Sequence, residues 1–133
     1  MTVRLIKLAS IYLVLGMSLG IGMGIAEDHT LRGVHAHMNL LGWATLGLAA
    51  LVFHIFPKLA HTRLAAVWFW VYNLSLPVAL VSLGFMLYGD LRALPFQKVS
   101  FTLVWLGGVL FAANVLINLR QRDVRAMVAE ARA

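Results

Sequence analysis

All five histidines of this 133-residue chain, His29, His35, His37, His54 and His61, lie in its first half. Two of them fall in the stretch Leu31-Arg32-Gly33-Val34-His35-Ala36-His37-Met38-Asn39-Leu40-Leu41-Gly42-Trp43, with His29 just ahead of it. Imidazole nitrogens hold transition metals and move protons near neutral pH. A polar or ionisable side chain inside an apolar helix is costly unless satisfied, so it marks a functional position by default. His37 and Asn39 are the strongest candidates, because they fall a little inside the apolar segment rather than at its mouth. The blander reading is a neutral imidazole bonded to a carbonyl or a lipid headgroup, which two histidines followed by an asparagine make less natural.

Spacing limits what these side chains do together. His35 and His37 are two residues apart and diverge by about 200° on a regular helix, so one metal takes both only if the helix starts unwound. His54 lies 17 residues beyond His37, which is ~25 Å along a helix, and cannot join it at a mononuclear site. His54 and His61 flank Pro57-Lys58 and are expected at the membrane surface in an interfacial role. A copper or other transition-metal site would draw on His29, His35 and His37 with Met23 or Met38, because imidazole and thioether both suit copper. With no cysteine there is no thiolate site and no covalent heme attachment through a cysteine pair. No Ser-His-Asp set, paired carboxylates or phosphate loop is present, so hydrolytic and phosphoryl-transfer chemistry have nothing to rest on.

The elements that must position these residues are helices in lipid. The chain is 62% hydrophobic and 12% charged, with a mean hydropathy of +0.87, outside the range of a soluble domain of this size. Four apolar runs, Leu5 to Ile25, His35 to Phe56, Leu64 to Tyr88 and Phe96 to Leu119, each match the ~20 residues that a membrane-crossing helix needs. A cleaved signal peptide is the rival reading of the first run, but the run is long for one and three more follow. The expected fold is an all-α, antiparallel four-helix membrane bundle over residues 1–119, with loops of about 7 to 10 residues and a basic tail over 120–133.

The net charge of +6 is explained by topology, not by nucleic acid. Arg4, Lys7, Lys58, Arg63, Arg120, Arg122, Arg125 and Arg132 share one side; Arg32, Arg92 and Lys98 take the other. The positive-inside rule then puts both termini in the cytoplasm and the His29–His37 region at the outer face. So small a bundle has little interior of its own, so a homo-oligomer, dimeric or larger, or docking to a larger membrane complex is expected.

Two further features concern packing. Gly16, Gly20 and Gly24 recur every four residues of the first span, with Gly22 between. This spacing serves either close helix packing or the approach of a flat cofactor to the backbone. Pro77 in the third span cannot donate to the carbonyl of Asn73 and is expected to kink the helix.

The run His37-Met38-Asn39-Leu40-Leu41-Gly42-Trp43, behind Arg32 and opening an outer-side helix, resembles helix two of the heme-copper oxidase superfamily's catalytic subunit. The nitric oxide reductase and C-family oxidase branch is the nearest, and the chain is similar to short four-helix relatives of that subunit. The resemblance extends more weakly to Trp68-Phe69-Trp70 and to the glycine-spaced first helix. It implies a b-type heme with His37 as an axial ligand, Asn39 as a supporting group behind the ligand and Trp43 against porphyrin or lipid; Gly20, from the glycine spacing, and Met23, as an outer-face thioether, complete the expected cofactor-binding residues. The remaining ligands of the full subunit come from later helices, so O2 or NO reduction is not implied. The sixth ligand is left to His35, His29, Met23, Met86 or the same histidine of a second copy. The implied setting is a membrane redox complex in a bacterial inner membrane, serving electron transfer, gas binding or heme handling.

Overall fold

The structure is a computed structural model; it describes residues 1–130, apart from the side chains of Arg122, Ala126 and Glu130, so Arg132 of the basic tail lies outside the described residues. Long apolar runs become helices because the hydrocarbon offers backbone groups no partner, and a helix satisfies them within one segment. The elements in chain order are α1 (Thr2–Ala26), α2 (Arg32–Ile55), α3 (Pro57–Ala60), α4 (Arg63–Leu87), α5 (Leu94–Asn118) and α6 (Gln121–Glu130), with a single 3-10 turn at Leu91–Ala93 before α5. The helices α1, α2 and α4, and the segment Leu91–Asn118 containing α5, are each long and apolar enough to cross a membrane. They run antiparallel in sequence order.

Residue chemistry sets the helix ends. Helix α1 stops at Glu27, which adopts a left-handed conformation at φ 52°, a common way to end a helix. Phe56 leaves helical geometry ahead of Pro57, whose missing N–H suits the first position of α3. Thr62 caps α4 by accepting from the amide of Ala65 at 3.0 Å. Asp123 reaches back to the amide of Arg120 at 2.8 Å and pairs with Lys58 at 2.8 Å, tying the tail helix to the second loop. The helices also run further than the apolar pattern indicates. Only residues 27–31 separate α1 from α2, fewer than expected, because Arg32, Gly33 and Val34 join the helix ahead of the apolar run.

Helix α1 packs along α2, and α4 packs along α5. The two pairs meet through a cluster of rings: Phe53 of α2 lies 5.6 Å from Trp68, and Trp68 lies 5.1 Å from Phe111 of α5. Helix α4 is central, with 44% of its most apolar window buried against 17% for α1. Helix α1 thus leaves most of its surface unpacked by the rest of the chain. Helix α4 runs unbroken through Pro77. Nearby, the Asn73 amide donates to the carbonyl of Phe69 at 2.8 Å, while its buried oxygen has no partner among the described residues.

A polar latch closes the end that carries α3. Asn114 of α5 is fully buried; it donates to the carbonyl of Leu59 at 3.0 Å and accepts from Thr62 at 2.8 Å and Asn118 at 3.0 Å. Asn114→Leu keeps the volume but leaves those partners unsatisfied. It is expected to cost about 1–3 kcal/mol, seen as a lower unfolding midpoint in detergent; an unchanged midpoint would show that the latch is not structural.

Candidate functional site

The candidate site is the first half of α2. It begins as regular α-helix over Arg32–His37 and widens to a π-helix over Met38–Thr45 before returning to α-helix at Leu46. The π stretch coincides with Met38-Asn39-Leu40-Leu41-Gly42-Trp43. Such widened turns are rare and gather at functional sites, because one extra residue per turn redirects side chains and loosens carbonyls from the ladder. Two hydroxyls take up loosened carbonyls: Thr45 donates to Leu40 at 2.9 Å, and Tyr72 of α4 donates to Leu41 at 3.2 Å. Sequence reasoning missed Tyr72, since a tyrosine in an aromatic span carries no signal that its hydroxyl serves another helix.

The helix begins regularly, so His35 and His37 point apart as their spacing requires. The Nδ1 of His35 lies 2.8 Å from the carbonyl of Gly16 on α1. A carbonyl only accepts, so this nitrogen carries a proton and donates it. Asn39, one turn on, donates to the backbone carbonyl of His35 at 2.9 Å. Its 3.5 Å approach to His35 Nδ1 brings two donors together and is not a hydrogen bond.

The ring of His35 and the amide of Asn39 fill the glycine face of α1. A Cβ on Gly20 would lie 2.7 Å from the His35 ring, and one on Gly16 would lie 2.6 Å from the Asn39 amide. This is close helix packing, the first of the two readings of the glycine spacing. Gly24 takes no part and meets nothing within 4 Å. Each step of four residues overshoots a full turn by about 40°, so the face has rotated out of the seam by Gly24.

His37 is placed differently. Its Nδ1 donates to the carbonyl of Gly33 one turn earlier at 2.7 Å, and its ring stands edge-on to Phe101 of α5 at 5.4 Å. The part-buried imidazole is therefore fixed in orientation, with Nδ1 as the donor and Nε2 without a hydrogen-bond partner among the described residues. Trp43 is 38% exposed, and Met23 is buried.

His29 is exposed in the first loop, which is held by Asp28 accepting from the amide and hydroxyl of Thr30 at 2.9 and 2.6 Å. Among the described residues no three histidine, cysteine or acidic side chains come together as a metal cluster. The Thr30 hydroxyl and amide hold the Asp28 carboxyl below its ordinary value of 3.8. A group with a depressed folded pKa stabilises above its unfolded value and loses that contribution as pH falls through the folded one. Carbonyl NMR of Asp28 is expected to give a midpoint below 3.8 that Thr30→Val moves upward; a midpoint unmoved by the substitution would refute the assignment.

These features define a multi-pass, all-α membrane protein with a π-widened second span carrying two oriented imidazoles. Comparison with protein-family models, curated proteins and solved structures yields no match.

Proposed function

We propose that the protein is a b-type heme-binding membrane protein in which Nε2 of His37 is an axial ligand. The observation that carries this reading is the 2.7 Å bond from His37 Nδ1 to the Gly33 carbonyl. Histidines that bind metals commonly donate their other ring nitrogen to such a group, which fixes the tautomer and raises the basicity of the ligating nitrogen. The donor set of this chain thus fits heme iron at one axial position. The resemblance of His37 to Trp43 to helix two of the heme-copper oxidase catalytic subunit points the same way, as does the π-helix that coincides with it.

When bound, heme would supply a one-electron couple or a seat for a diatomic gas. The work of the chain's own residues is narrower. Gly33 orients the His37 ring, Phe101 braces its edge, and the seam between α1 and α2 holds the start of the helix in register. Because His35 turns toward α1, the two histidines do not converge, and a second residue holding the heme would be His29, Met23, Met86 or the same histidine of a second copy. Electron transfer, gas binding or heme handling suit such a site better than complete O2 or NO reduction, which needs further metal ligands. In the proposed setting, a bacterial inner membrane, both ends of the chain face the cytoplasm, as the excess of basic residues at that end favours.

The test is an absorption spectrum of protein purified in detergent after heme supplementation. A Soret band with reduced b-type peaks is expected. Its absence rejects the proposal, and stoichiometric copper in heme-free protein would favour the copper alternative instead.

A further inference from the structure

At the end of the bundle remote from His37, a 520 Å³ cavity opens between the start of α1, the end of α2 and the start of α4. Its lining includes Arg4, His54 and His61 together with Phe53, Phe69 and Trp70. The lining holds no acidic residue, and the side chains of Arg4, His54 and His61 have no hydrogen bond or ion pair among the described residues. Lys7, Arg63 and Arg120 also sit at this end, where Asp123 is paired with Lys58, so its surroundings are net positive. The aromatic wall continues along the first two turns of α4, where Trp70 is 59% exposed.

We propose that this cavity binds the headgroup of an anionic phospholipid of the phosphatidylglycerol class. Arg4 supplies the charge, and the imidazole N–H groups of His54 and His61 donate to phosphate oxygens. One acyl chain then lies against Phe69 and Trp70. The combination fits a lipid because it joins anion-binding donors to an apolar wall at the depth where headgroup meets hydrocarbon. Basic pockets between transmembrane helices recognise headgroups on these terms, and an aromatic at that level suits the same boundary. The site is independent of the heme proposal, since His54 lies near the opposite end of α2 from His37.

The test uses the full chain in detergent and in nanodiscs. Native mass spectrometry and unfolding midpoints are recorded with phosphatidylglycerol, with phosphatidylethanolamine of the same acyl chains, and with inorganic phosphate. The expected result is one retained phosphatidylglycerol and a raised midpoint with that lipid alone. A variant carrying Arg4→Gln, His54→Gln and His61→Gln, all at exposed positions, is expected to lose at least about tenfold in lipid retention. The control Lys7→Gln with Arg63→Gln removes two charges from the same end outside the cavity and is expected to retain the lipid. Equal retention of both lipids, stabilisation by inorganic phosphate alone, or equal losses in the two variants would each overturn the proposal.

Discussion

Gly42→Ala lowers the stability of the protein by about 1–3 kcal/mol, the cost of overpacking a filled seam, whereas Gly24→Ala leaves it unchanged or slightly raised. A Cβ on Gly42 would overlap Cγ of Tyr12 and stand 2.7 Å from its Cβ. Those atoms lie next to the backbone of α1, so no rotamer change clears them, and the helices themselves must part. Gly16→Ala is expected to fall between the two, since the Asn39 amide that it strikes can swing away only by giving up its 2.9 Å bond to the His35 carbonyl. Gly22 and Gly24 face open space, where alanine brings at most the ~1 kcal/mol gain of replacing glycine within a helix. Unfolding in mixed micelles of graded denaturing detergent measures the series. If Gly42→Ala matched Gly24→Ala, the α1–α2 seam would not be the contact described.

The same seam shows what a single sequence displays and what it hides. Composition and the four apolar runs are enough for four antiparallel spans, because lipid leaves a long apolar segment no alternative to a helix. The close-packing use of Gly16 and Gly20 is legible from their spacing. Which side chains enter the groove is not, since that depends on the rotation of α2 against α1. The π-helix is equally hidden: no proline or unusual residue marks Met38–Thr45, and the widening is supported by hydroxyls from Thr45 and from Tyr72, 31 residues from its acceptor. The divergence of His35 and His37 follows from helix geometry alone. Their partners, Gly16 on a neighbouring helix and Gly33 on the same one, give the two imidazoles different surroundings, and that difference separates their expected roles. His54 and His61 read as isolated surface residues until folding places them with Arg4 around one cavity.

If His37 holds heme as proposed, His37→Ala is expected to abolish the Soret band of the heme-supplemented protein, while His35→Ala is expected to keep it at reduced stability. Loss of an outer-shell partner costs roughly 10–100-fold in metal affinity, and loss of the ligand itself exceeds that. His37→Ala is expected to disturb the bundle less than His35→Ala, since the His37 hydrogen bond runs within its own helix and only the edge-on contact with Phe101 reaches another. His35 differs: alanine there removes the 2.8 Å bond to the Gly16 carbonyl and empties the groove beside Gly20, so stability falls by about 1–3 kcal/mol with the His37 nitrogen still in place. Free imidazole added to His37→Ala restores a Soret band if the vacated space admits a replacement ligand, and it has no such effect on the unsubstituted protein. Thermal unfolding of the two variants, run beside the spectra, separates loss of ligand from loss of fold. Full heme content in His37→Ala, or loss of heme in His35→Ala at unchanged stability, would assign the ligand to a residue other than His37.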